Sequence, residues 1–149
     1  MENHKVTVRW QRATPDFDYK TYDRSHTWNF PGGQILQGSA APAFHGDANK
    51  VNPEEGLVAC LSSCQMLTFL AIAALKGYQV DSYEDEATGE VGKNSRGKQM
   101  ISRITLRPKV TFSGAKIPDG AALDDLHHKA KESCFVSNSL LTEVILDPR

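Results

Sequence analysis

Three cysteines are the residues of this chain best able to do chemistry. Cys60 and Cys64 stand four apart, and Cys134 lies seventy residues beyond Cys64. A thiol can act as a nucleophile, a redox partner or a metal ligand, or it can simply pack as a small hydrophobe. A zinc site would have to join the Cys-x3-Cys pair to His127, His128 and Cys134, a spacing that departs from the usual short-knuckle patterns. A Cys60–Cys64 disulfide is geometrically poor, because side chains one helical turn apart run side by side rather than toward each other. Cys60 therefore reads as core packing. On residue chemistry alone, Cys64 and Cys134 stay open between reactive thiols and buried hydrophobes. A buried thiol reacts poorly unless a positive or hydrogen-bonding neighbour favours its thiolate.

The element that must carry the first two cysteines is Asn52 to Gly77, the longest apolar stretch of the sequence. Asn52 can accept free amide hydrogens of a first turn, Pro53 suits the first helical position, and Glu55 can reach back to complete a cap. Lys76 and Gly77 supply the stop. From Met66 to Leu75 almost every side is apolar, which predicts a helix enclosed by sheet or by a partner chain. Its amino-terminal field fades within the first turn, so it does not activate Cys64 if the helix is continuous.

Around that helix the pattern is mixed. Lys5–Trp10 alternates polar and apolar residues as a half-buried strand, and Thr27–Phe30 reads as a second strand ending in the hairpin signal Pro31-Gly32-Gly33. Gln34–Leu36 can pair back, and Gly38–Val51 is a long irregular loop of the kind that more often has a function. Beyond the helix, Tyr78–Asp85 reads as a strand and Ala87-Thr88-Gly89 as a turn, with Lys93–Gly97 an exposed loop. Met100–Leu106 and Lys109–Phe112 read as a further strand interrupted at Pro108. Leu123, Leu126, His127, Ala130 and Cys134 recur at helical spacing, predicting a second helix over Ala121–Ser133, and Leu140–Leu146 is the last strand. This order predicts an α+β fold with largely antiparallel pairing.

With 149 residues the chain reads as one ordinary domain, 1–149. Seventeen basic against eighteen acidic residues leave a net charge of −1. No basic run stands out, so nothing points to nucleic acid or to an anionic membrane surface. The stretch MENHKVTVRW lacks the apolar core of a signal peptide, and the one long apolar run holds Gln65 between caps and charges. The expectation is a soluble, cytoplasmic protein, where an odd cysteine count speaks for thiols rather than a disulfide framework. No dinucleotide fingerprint or phosphate-cradling loop is present.

Asn52-Pro53-Glu54-Glu55, Ser62-Ser63-Cys64 and Cys134-Phe135-Val136-Ser137-Asn138 together resemble the OsmC/Ohr family of thiol peroxidases. The resemblance extends through Ala41-Pro42-Ala43-Phe44-His45-Gly46-Asp47 and His127-His128-Lys129-Ala130, and it covers the chain from about Tyr22 onward. It implies an intertwined homodimer with long central helices packed between antiparallel sheets and two active sites at the subunit interface. It also implies that Cys64 is the peroxidatic nucleophile, left as a sulfenic acid by a hydroperoxide, and that Cys134 is the resolving thiol that forms a disulfide with it. No metal or organic cofactor is implied, only an external dithiol reductant.

The family's thiolate is supported by an arginine held by a glutamate. Glu54 matches the glutamate, although an acidic residue in a first turn also complements the helix dipole without further duty. Ten helical residues span about 15 Å, so Glu54 either serves the partner's site or requires a helix break near Ser62-Ser63. The arginine that some members carry before Asn-Pro-Glu-Glu is replaced here by Ala43-Phe44-His45-Gly46. Arg24, on the adjacent upstream segment, is the substitute, with His26 and His45 behind it. Gln65 either donates into the site or satisfies a polar pocket, and of His127 and His128 one should pack and the other face water. The rival to an enzyme is a fold-conserving binding protein that holds an apolar ligand at the dimer interface.

Overall fold

The cap written into Asn52-Pro53-Glu54-Glu55 forms as a reciprocal box. Glu55 N–H donates to Asn52 Oδ1 at 2.8 Å, and Asn52 N–H donates to Glu55 Oε2 at 3.1 Å. Helix α1 then runs unbroken over Pro53–Leu75. It stops where Gly77 takes a φ of 79° and Tyr78 N–H closes on the Ala73 carbonyl. This computed structural model describes residues 3–149; Met1 and Glu2, at the start of the stretch read as lacking a signal-peptide core, lie outside it. The chain divides into two units, one ending at Gly56 and the other spanning Leu57–Arg149.

The first unit is built on a three-stranded antiparallel sheet in the order β1 (Thr7–Arg9), β2 (His26–Asn29), β3 (Ile35–Gly38). The hairpin at Pro31-Gly32-Gly33 forms, with Gly33 at φ 84° supplying the left-handed residue. The loop from Gly38 to Val51 closes on itself, because Ser39 N–H donates to Val51 O and Val51 N–H to Gln37 O. Within it Pro42–Phe44 makes a single 3-10 turn, ended by His45 at φ 62°. Gly46 follows, and a Cβ there would sit 1.6 Å from the Ala40 carbonyl oxygen. No other residue type fits that position without moving the backbone.

The second unit holds two small sheets. β4 (Gln79–Asp85) pairs antiparallel with β7 (Pro108–Ser113). β6 (Gln99–Leu106) lies between β5 (Thr88–Lys93), antiparallel to it, and β8 (Glu143–Leu146), parallel to it. A parallel neighbour needs a crossover, and α2 (Gly120–Ser133) with the short α3 (Phe135–Asn138) provides it. α2 starts at Asp119, whose carboxylate accepts from Ala122 N–H at 2.8 Å.

α1 buries the stripe Leu61, Gln65, Phe69, Ala73 at a strict spacing of four residues. Leu61 packs with Ile104, Leu106, Cys134 and Val144, while Phe69 and Ala73 pack with Leu126 and Ala130. The sequence predicted enclosure on every side; within the chain the opposite stripe of Cys60, Ser63, Leu67, Ala71 and Ala74 is exposed. Both stripes are apolar, so periodicity could not tell the buried side from the open one. By length and composition α1 could cross a membrane, but it is the core helix of this fold, threaded through both clusters.

Other corrections are local. Ala87-Thr88-Gly89 is not a turn: β5 begins at Thr88. Its glycines hid it, and they are there for close approach, since a Cβ on Gly89 would meet Val58 at 2.7 Å. Met100–Phe112 is two strands in different sheets, and the proline stands first in the second, where its missing N–H costs no ladder bond. The last strand starts at Glu143 rather than Leu140, after α3.

Candidate functional site

The second unit brings Cys64 and Cys134 together. Cys134 Sγ lies 2.7 Å from Cys64 Sγ, near enough that a disulfide of about 2.05 Å needs only a small adjustment. α1 carries Cys64, half-buried against the Leu61 cluster, and the junction of α2 and α3 carries Cys134, fully buried. Cys134 ends α2 with an extended backbone and caps α3, its sulfur accepting from Ser137 N–H at 3.4 Å. Burial pushes the Cys134 thiol up to about 11, and its hydrogen bond to Cys64 pushes the same way. In this geometry Cys134 Sγ–H donates to the Cys64 sulfur.

Two contacts fix this arrangement. Gln65 is buried, and its Nε2–H donates to the His127 carbonyl at 3.0 Å, tying the turn after Cys64 to the helix that leads to Cys134. It satisfies a polar pocket rather than pointing at the thiols. Ser62 Oγ–H donates to Asp85 Oδ2 at 2.5 Å, and Asp85 Oδ1 accepts from Arg107 N–H at 2.6 Å. His127 packs, 2% exposed, with its ring 4.5 Å from Phe69, whereas His128 is exposed beside Glu132. Burial depresses the His127 pKa, outweighing the nearby carboxylates of Asp124 and Asp85.

Cys60 is a correction. It is exposed on the open stripe of α1 rather than packed in the core, because one turn of an apolar helix rotates a residue by 40° from its predecessor at four-residue spacing. Helix continuity also removes the break at Ser62-Ser63 as a route for Glu54.

Arg24 and Glu54 belong to the first unit. Both line a cavity of about 520 Å³ walled by Val8, Trp10, Phe17, Tyr22 and Phe44. Arg24 is only 8% exposed, so it is no solvated turn residue. Its guanidinium donates to the carbonyls of Tyr22 (2.8 Å) and Tyr19 (2.5 Å) and lies 3.9 Å from the Tyr22 ring centroid. Glu54 does not ion-pair with it; the buried Oε2 of Glu54 has no hydrogen-bond partner among the described residues. His26 lines the same cavity, and His45 stands edge-on to Tyr19 with ring centroids 5.7 Å apart. The aromatic wall, which the sequence reading missed, comes from a polar-looking stretch whose Trp10, Phe17 and Tyr22 cluster at 5.0–6.1 Å. Four aromatic residues within thirteen positions, Trp10 to Tyr22, was the available signal. No cluster of three or more potential metal ligands occurs among the described residues.

Comparison with known proteins agrees with this architecture. A solved OsmC-like protein of unknown function from Vibrio cholerae is 44% identical, with a TM-score of 0.96 and 100% of both chains covered. OhrB of Bacillus subtilis, an organic hydroperoxide resistance protein, matches with a TM-score of 0.69 at 21% identity, over 99% of this chain and 98% of that one. The organic hydroperoxide resistance protein of Elizabethkingia anophelis gives 0.71 at 16% identity, over 99% and 94%. These last two establish a shared fold alone. By sequence the chain is 25% identical to the uncharacterized protein YmaD of Bacillus subtilis, over 83% of each chain. The OsmC-like protein family model matches residues 45–148, from the loop before α1 through the last strand, and the chain belongs to that family.

Proposed function

We propose that this protein is a cysteine-based peroxidase that reduces hydroperoxides, organic ones above all, in defence against oxidative stress. The observation that carries this reading is the pair of sulfurs 2.7 Å apart with one of them fully buried. In the proposed cycle the Cys64 thiolate attacks the distal peroxide oxygen, the O–O bond breaks, and the alcohol leaves with a proton. Cys64 is oxidised to a sulfenic acid. Cys134 then attacks the Cys64 sulfur; an S–S bond forms, the S–O bond breaks, and water leaves with the thiol proton of Cys134. A small or protein dithiol, of lipoyl type or similar, reduces the disulfide, and no metal or organic cofactor takes part. The raised pKa of Cys134 works against the second step, so its proton must leave to the departing oxygen as the S–S bond forms.

Arg24 is the proposed thiolate stabiliser and Glu54 the residue that orients it. Both would serve Cys64 across the subunit interface of a cytoplasmic homodimer, the assembly typical of the family. The exposed apolar stripe of α1 supports such an assembly. Intact-mass and free-thiol analysis after one equivalent of an organic hydroperoxide, with hydrogen peroxide in parallel, tests the reading. It predicts rapid loss of two thiols and about 2 Da, mapped to Cys64 and Cys134. Thiols that stay reduced under both oxidants would sink it. They would favour the second reading, a binding protein for an apolar ligand, which the aromatic cavity of the first unit supports and which predicts a ligand-dependent rise in melting temperature.

A further inference from the structure

We propose that His26, as its Nδ1-protonated tautomer, is the positioning residue that holds Arg24 in place, and that Trp28 selects this tautomer. The proposal rests on the reading of Arg24 as the thiolate stabiliser. Arg24 lies just before β2, and among the described residues its guanidinium is gripped by neighbours in its own segment, the carbonyls and rings of Tyr19 and Tyr22. Those contacts shape the side chain without tying its residue to the sheet. What ties it there is its carbonyl, which lies 2.8 Å from His26 Nδ1.

The direction of that bond follows from the other end of the ring. Trp28 Nε1 lies 2.9 Å from His26 Nε2. An indole N–H can only donate, so Nε2 must be the bare acceptor nitrogen. The single ring proton is then on Nδ1, where it donates to the Arg24 carbonyl. A proton on Nε2 would turn it against the indole N–H and leave Nδ1 with nothing to offer the carbonyl.

The ring pair packs close against the backbone of two glycines. β2–β3 register sets His26 opposite Gly38, and a Cβ there would stand 2.6 Å from His26 Nε2 and 3.0 Å from Trp28 Nε1. At the far edge of the indole, a Cβ on Gly56 would stand 2.6 Å from Trp28 Cη2. The flanking residues are anchored separately: Trp10 Nε1–H donates to Asp23 O at 2.7 Å and Lys50 Nζ to Ser25 Oγ at 2.6 Å. Neither bond holds Arg24 itself. His26, a runner-up for activating Cys64, is thereby assigned to Arg24 instead.

Long-range proton–nitrogen NMR of the imidazole rings in the full chain tests the tautomer directly. The expected signature is Nδ1–H on His26, and an Nε2–H ring would overturn the proposal whatever the enzymology. The kinetic arm compares His26→Asn with His26→Leu. Asparagine can present an amide N–H where Nδ1 stands, whereas leucine cannot, and both lose the Trp28 bond alike. Both variants are expected to fold, as circular dichroism reads, with kcat/KM for an organic hydroperoxide near wild type in His26→Asn but about tenfold lower in His26→Leu, the worth of one hydrogen bond. Equal rates in the two variants would overturn the proposal. An Arg24→Met variant as fast as wild type would remove its premise, an outcome told apart from the others because the tautomer signal would be unaffected.

Discussion

The two units of this chain solve opposite problems. In Leu57–Arg149 two thiols are driven together inside a hydrophobic cluster, where burial raises the pKa of one of them. In the unit ending at Gly56 a cation and a carboxylate share a cavity without pairing, each held by local backbone or left unpartnered. Sulfur chemistry tolerates burial because a neutral thiol costs little to desolvate; an arginine must be gripped by carbonyls and aromatic faces wherever it is buried. In the proposed cycle the second unit carries the electrons and the first tunes the rate.

Replacing Cys64 by serine is the harshest way to break that division. Peroxide consumption should fall by at least about a thousandfold, since the nucleophile is gone and only binding remains. Initial rates with an organic hydroperoxide measure it, and appreciable residual turnover would place the oxidised group elsewhere. Next in size is Cys134→Ser. One equivalent of peroxide should now add about 16 Da, a sulfenic acid at Cys64, in place of the loss of about 2 Da that a disulfide gives. Multiple turnovers with the dithiol should slow strongly, while the first should not. A first turnover that also fails would mean that Cys134 shapes the nucleophile itself.

The two units were unequally legible in the sequence. Asn52-Pro53-Glu54-Glu55 announced its helix because capping is local chemistry, and the pairing of Cys64 with Cys134 came through family resemblance. The seventy intervening residues carry no local signal that the sulfurs meet. β5 was hidden because Gly89 and Gly92 answer to tight contacts with Val58 and Ser102, which are long-range facts. The exposure of Cys60 was hidden because α1 is apolar on both sides. Arg24 could be chosen by its position, but its burial depends on the packing of Trp10, Phe17 and Tyr22, which ordinary alternation does not encode.

Gly46→Ala probes the loop of the first unit, where a Cβ would fall 1.6 Å from the Ala40 carbonyl oxygen. The backbone must move, and the expected cost is about 3 kcal/mol, read as a lower urea midpoint. The Cys64–Cys134 mass change after oxidation should survive wherever the variant is still folded. Its loss in a folded variant would mean that the thiol-bearing unit depends on this loop, against the division drawn above.

The smallest effect belongs to His127, between the two thiol-bearing helices of the second unit. Neither of its ring nitrogens has a hydrogen-bond partner among the described residues, and burial holds its pKa below the ordinary 6.5. As pH falls the unfolded chain takes up this proton more readily than the folded one. Stability should therefore be whole above about pH 6.5 and drain away as pH drops through the depressed folded value. His127→Leu removes that proton sink and leaves no orphaned polar atom, so it should change stability near neutrality by no more than about 1 kcal/mol. Gln65 would keep its bond, which goes to the backbone carbonyl of residue 127 and not to the ring. Urea melts of both proteins at about pH 7.5 and about pH 5 measure the difference, with wild type losing more on acidification than the variant. An equal loss in both would assign the acid sensitivity of this unit to other groups and leave the thiols' surroundings indifferent to the proton on His127.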